Sequence, residues 1–152
     1  MRNSVLQLVS ALVVLILGMG LEEALPKVAG VGVPVLLVAM QFMAVRRPLA
    51  VAVLFALAAG VCEDSISALP TMPSVSYFLA VAILARTLDL PRAMTILVYP
   101  LYQVWLEAWT GGSGGGVFMR ILVSLPVGGI AALAVGAALE WMERKAAIGE
   151  ES

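Results

Sequence analysis

The chain contains no histidine and a single cysteine, Cys62. Without histidine the commonest general base and a common metal ligand are missing, so no Ser-His-Asp triad can be built. One cysteine cannot close an intramolecular disulfide, and with no histidine it argues against a zinc site. Charge is also scarce. Only 12% of the residues are Asp, Glu, Lys or Arg, where a soluble domain carries about a quarter. The net charge is −1 and no basic run exceeds Arg46-Arg47, which argues against nucleic acid as a partner. Nothing indicates a cofactor.

What fills the space is apolar. Hydrophobic residues make up 62% of the 152 positions and mean hydropathy is +1.04. Such a chain has too little polar surface to face water on all sides, and membrane lipid is its natural solvent. The runs are continuous rather than alternating, which argues for helices over barrel strands. Met1-Arg2-Asn3 ahead of the apolar run ending LILGMG has the look of a signal peptide. The run is nevertheless long enough to span, and the later segments make better sense with it retained.

Six apolar segments are legible, at about 5–21, 28–45, 48–62, 74–85, 93–109 and 117–139. The expected fold is an all-α integral membrane protein, a six-helix transmembrane bundle over residues 1–145, with a polar tail at 146–152. Glu22-Glu23 and Arg46-Arg47 end the first two segments, and Pro48 opens the third in the first-turn position that proline tolerates. Pro70 and Pro73 delay the fourth to about Ser74, a plausible N-cap. Asp89-Leu-Pro-Arg reads as a turn and helix start, and Pro100 predicts a kink in the fifth segment. Gly111–Gly116, GGSGGG, is the one linker. It lacks the Lys-Ser/Thr of a phosphate-binding loop, being followed by Val117-Phe118. About 20 residues cross a bilayer core. The third and fourth segments fall short of that, so a tilted or partly re-entrant hairpin around 62–73 is an alternative to two full spans.

Basic residues set the orientation. With the N-terminus inside, all but two of the nine Lys and Arg residues lie on the inner side: Arg2, Arg46, Arg47, Arg86, Arg92, Arg144 and Lys145. Only Lys27 and Arg120 fall outside, the bias expected of basic residues at span ends. Both termini are thus expected inside. Tyr77, Trp105 and Trp109 near the outer ends, and Trp141 near the inner one, read as interface anchors. Ala52, Ala56 and Gly60 on the third segment, and Gly128, Ala132 and Gly136 on the sixth, repeat every four residues, as close helix contacts do.

The candidate site residues gather at the outer ends. Glu63 and Asp64 follow the apolar run LAVAVLFALAAGVC, where a helix's last carbonyls repel acids. Something must compensate them, and Arg120 is the nearest candidate in the layout. Glu107 lies four residues after Gln103, on the same helical face. Two readings stay open for these groups: a polar site or partner-docking patch, or a solvated rim with local ion pairs. Glu22-Glu23 read as rim. No catalytic motif accompanies the carboxylates, so no enzyme is indicated.

A family likeness rests on three pieces: Arg46-Arg47-Pro48, Gly60-Val61-Cys62-Glu63-Asp64, and Ser74-Val75-Ser76-Tyr77-Phe78-Leu79. A basic turn, an apolar helix ending in Gly-x-x-x-Asp, a short loop and an apolar segment with an early aromatic resemble the MreD family of rod-shape-determining membrane subunits. The family's usual serine-glycine after the aspartate is replaced by Ser65-Ile66-Ser67. The resemblance implies a non-enzymatic subunit of bacterial cell-wall elongation in the cytoplasmic membrane. Its implied partners are an MreC-like bitopic protein, the glycan polymerase–transpeptidase pair and MreB filaments. Asp64, Arg46 and Arg47 are the positions that carry over, with Asp64 organising the third-to-fourth hairpin. The same layout suits the substrate-binding subunit of an energy-coupling-factor vitamin transporter, whose fold MreD proteins resemble. Ala11, Gly18 and Gly20 form no four-residue repeat on the first segment, against that alternative.

Overall fold

A computed structural model describes residues 2–27, 30–69, 72–88, 94–111 and 116–149. The expected turn at Asp89–Arg92, Pro70, most of the GGSGGG linker and the last residues of the tail lie outside the described residues. Those described fold into six helices with no strand among them: α1 (Arg2–Ala24), α2 (Val35–Arg46), α3 (Leu49–Ile66), α4 (Pro73–Thr87), α5 (Thr95–Thr110) and α6 (Val117–Gly149).

Within α1, α3 and α6, the stretches Val5–Ala24, Leu49–Ile66 and Val117–Lys145 are long and apolar enough to cross a membrane. This is a membrane protein by the physics of its surface as well. Leu133 is 78% exposed, Phe118 70% and Ile130 67%, and in water such a display would be an aggregation hazard. On α1 only a narrow stripe, Ala11, Val14 and Gly18, is buried. Its Val5, Leu6, Leu12 and Ile16 point away from the protein.

The second helix behaves in the opposite way. Every residue from Val35 to Ala44 is buried, and α2 packs against all five other helices. A helix apolar all round belongs in an interior, and VLLVAMQFMA has no face to offer water. This core helix starts later than the apolar run suggests, at Val35 rather than near Val28. Pro34 has no N–H and disfavours helical backbone at Val33, and Gly30 takes φ +79°, a left-handed conformation. Residues 30–34 are therefore irregular, and α2 has 12 residues, about 18 Å.

The third segment is longer than the sequence implies. It runs 18 residues, through both acids to Ile66, about 27 Å and enough to span. Its end is a Schellman turn. Leu69 N–H donates to Asp64 O at 2.9 Å and Ala68 N–H to Ser65 O at 3.4 Å, with Ala68 at φ 52° where glycine is usual. Helix α5 continues through Pro100. Helix α6 runs ten residues past its apolar part, through Glu140, Glu143 and Arg144 and on over positions 146–149 of the expected tail.

Both small-residue stripes are buried. On α3 the reason is visible at Gly60, where an added Cβ would lie 2.5 Å from Val75 Cα and 2.8 Å from Val75 N. The α4 backbone sits directly on that glycine. Lipid offers no hydrophobic drive for helix pairing, so such close approach is what holds α3 to α4. Gly60→Ala should destabilise the protein by about 1–3 kcal/mol through overpacking. Gly20→Ala, with nothing within 4 Å of its added carbon, should not. Thermal unfolding in detergent reads the difference, and equal midpoints would contradict the contact.

Candidate functional site

Polar groups collect at the two ends of the bundle, and each end has its own chemistry. At one end the C-termini of α1, α3 and α5 meet the N-termini of α2, α4 and α6. The first turn of any helix leaves N–H groups without intrahelical partners, and two of these helix starts are answered by acids from the preceding helix. Leu36 N–H of α2 donates to Glu22 Oε2 of α1 at 3.0 Å. Ser74 N–H of α4 donates to Asp64 Oδ1 of α3 at 3.0 Å, a buried bond.

The α4 start is fully specified by its sequence. Pro73 occupies the first helical position, where its missing N–H costs nothing, and Met72 before it turns through φ 50°. Ser74 thus carries the first N–H of the helix, and Asp64 takes it. Asp64 is only 5% exposed. The positive end of the α4 dipole offsets burial of its charge, a role the sequence reading gave to Arg120. Arg120 instead pairs with Glu107, Nη1 to Oε2 at 3.6 Å. The third crossing, α5 to α6, therefore also joins an acid at one helix end to the start of the next.

Around these caps lies a hydrogen-bonded aromatic wall. Ser74 Oγ and Tyr102 OH share a bond of 2.5 Å, and Tyr99 OH donates to Gly32 O at 2.5 Å. Trp105 Nε1 donates to Pro73 O at 3.0 Å. Tyr77, expected as an interface anchor, is held inside by its bond to Val98 O and lies 5.1 Å from the Tyr102 ring. Trp109 and Trp141 are exposed near the helix ends, as anchors would be.

The wall encloses a polar cavity of about 250 Å³. Glu22, Glu63, Lys27 and Arg120 bring two carboxyl groups and two cations to it, alongside Tyr99, Tyr102 and Gln103. Ser67 Oγ donates to Glu63 Oε1 at 3.3 Å, while Glu63 Oε2 and Asp64 Oδ2 are buried without partners. Among the described residues no three metal-ligating side chains cluster. The arrangement can hold water or a very small polar solute, and it can fix helix starts.

At the opposite end Arg46 and Arg47 meet α6. Arg46 lies 3.7 Å from Glu140 and 3.5 Å from Glu143, and Arg47 3.3 Å from Glu143. Arg86 of α4 donates to Arg47 O at 2.5 Å and Ala44 O at 3.2 Å, placing a cation on the last carbonyls of α2. Of the six residues singled out from sequence, Glu63, Asp64, Glu107 and Arg120 thus share one end and Arg46 and Arg47 the other. Sequence reasoning missed Glu22, read as rim, together with Tyr99 and Tyr102; Ser74, expected as the α4 N-cap, lies instead inside the helix behind Pro73, with Met72 at the cap position. The signal for Glu22 was Pro34, a helix start with no capping side chain of its own.

No family model, curated protein or solved structure matches the chain.

Removing the α4 cap tests the geometry. Asp64→Ala should cost about 1–2 kcal/mol, and Asp64→Asn, which keeps a capping oxygen, clearly less. Unfolding midpoints in detergent, with hydrogen exchange at Ser74, read both. Equal losses for the two variants would contradict capping as the role of Asp64.

Proposed function

We propose that this chain is a six-span membrane subunit, with both termini in the cytoplasm, that works by holding partners rather than by chemistry. Its place is in bacterial cell-wall elongation, as the resemblance to the MreD family implies. The observation that carries this reading is that Gly60 and Asp64 form one device. Four residues apart on α3, the glycine lets the α4 backbone approach and the aspartate binds its first N–H. The Gly-x-x-x-Asp signature on which the resemblance rests therefore has a structural purpose, the fixing of a rigid hairpin.

The membrane arrangement follows from lengths and charges. Helices α4 and α5 have 15 and 16 residues, about 22 and 24 Å. With modest local thinning they cross. Helix α2 crosses with the irregular segment 30–34, which is tolerated at membrane depth because it lines the polar cavity. Arg46, Arg47, Arg86 and Arg144 at one end, against Lys27 and Arg120 at the other, agree with an inner and an outer face. Under this reading an MreC-like bitopic protein, a glycan polymerase–transpeptidase pair and MreB filaments are the partners.

A second reading draws on the cavity, whose converging polar groups suit the ligand site of an energy-coupling-factor transporter subunit. Size weighs against it. About 250 Å³ falls below the roughly 300–1,000 Å³ of sites for drug-sized ligands. Purification of the full chain from its host in mild detergent separates the two. Recovery of a bitopic partner with wall synthases supports the first. Recovery of ATPase and coupling subunits in their place would replace it with the second.

A further inference from the structure

Among the described residues α1 and α6 both lean on α2, and their backbones do not approach each other. Between them runs a groove in two connected hollows of about 270 and 230 Å³, sharing Val14, Leu139 and Met142. The larger is apolar throughout, walled by Leu17, Leu21 and Ala138 over a floor of Val35 and Ala39. The smaller continues over Phe42 and Met43 and ends at Ser10, Arg47 and Glu143.

We propose that this groove holds one acyl chain of an anionic phospholipid, with the phosphate at Arg47. Three observations point there. In hydrocarbon a cleft of this kind stands open to lipid along its length, about 16 Å from Ser10 to Leu21. Its inner end is rich in arginine: among the described residues Arg46, Arg47 and Arg144 pair with Glu140 and Glu143, and Arg86 lies on the α2 carbonyls. Arg47 moreover offers a donor, since its Nε is buried without a partner while Nη2 engages Glu143. A guanidinium with a free N–H is suited to a phosphate oxygen.

An arginine at one end of an otherwise apolar groove suits an anionic headgroup followed by its acyl chain.

Native mass spectrometry of the detergent-purified chain tests the proposal, with phosphatidylglycerol and phosphatidylethanolamine added at equal concentration. The wild-type protein should retain phosphatidylglycerol in preference. Arg47→Gln should lower that retention about tenfold, with phosphatidylethanolamine little changed. Ala138→Trp, which fills the groove from an exposed wall position, should lower retention of both lipids. Equal retention of the two lipids by the wild-type protein would overturn the proposal, as would unchanged retention in Ala138→Trp. So would a photo-crosslinker at position 138 that captures protein rather than lipid in membranes.

Discussion

A backbone N–H buried in protein must find a partner, and this bundle begins two of its helices in its interior, with Leu36 and Ser74 fully buried. That constraint explains its acids. Glu22 answers Leu36 at the start of α2, and Asp64 answers Ser74 at the start of α4. Glu107 completes the series through Arg120 in the opening turn of α6. At each of these three crossings the end of one helix supplies a carboxylate to the beginning of the next. Acids are unfavourable at the C-terminus of their own helix, and here a neighbour's positive N-terminus compensates Glu22 and Asp64, while the Arg120 guanidinium compensates Glu107.

The rest of the fold follows from having those starts fixed. Helix α2 can be short and, but for Gln41 and its terminal Arg46, apolar because its N-terminus is capped by Glu22 and its C-terminus is gripped by Arg86. The other five helices then pack around it and present their leucines, valines and isoleucines to lipid. Among the described residues the buried and paired charges gather in two layers, one beside the caps and aromatic hydroxyls, the other of arginines and α6 carboxylates. A molecule built this way is stiff across its middle and specific at its ends, which suits a platform for other membrane proteins.

Much of this was legible in the sequence, and the gaps have physical causes. Each apolar run corresponds to a helix, because a continuous hydrophobic stretch between charges admits little else. Boundaries moved where backbone chemistry overrode hydropathy. Gly30 and Pro34 cost α2 its first turns, and the capped, Schellman-closed end of α3 carried the helix through Glu63 and Asp64. The Gly60 stripe was visible as a pattern, but that Val75 sits upon it was not. Partner choice was least legible. Arg120 was paired with the wrong acid and Glu22 read as rim, because sequence spacing places a charge at an end without saying which neighbour's backbone waits there. Tyr99 and Tyr102 were hidden for a related reason, since a hydroxyl on an apolar helix declares nothing until its partner is known.

The central claim is that the cap layer and the arginine layer lie on opposite sides of a bilayer. Cysteine accessibility in sealed vesicles measures this directly, in a Cys62→Ser background with either Ser65→Cys or Arg144→Cys, both at exposed positions. A membrane-impermeant maleimide should label position 65 in right-side-out vesicles and position 144 in inverted ones. Labelling of both positions from the same side would contradict the account.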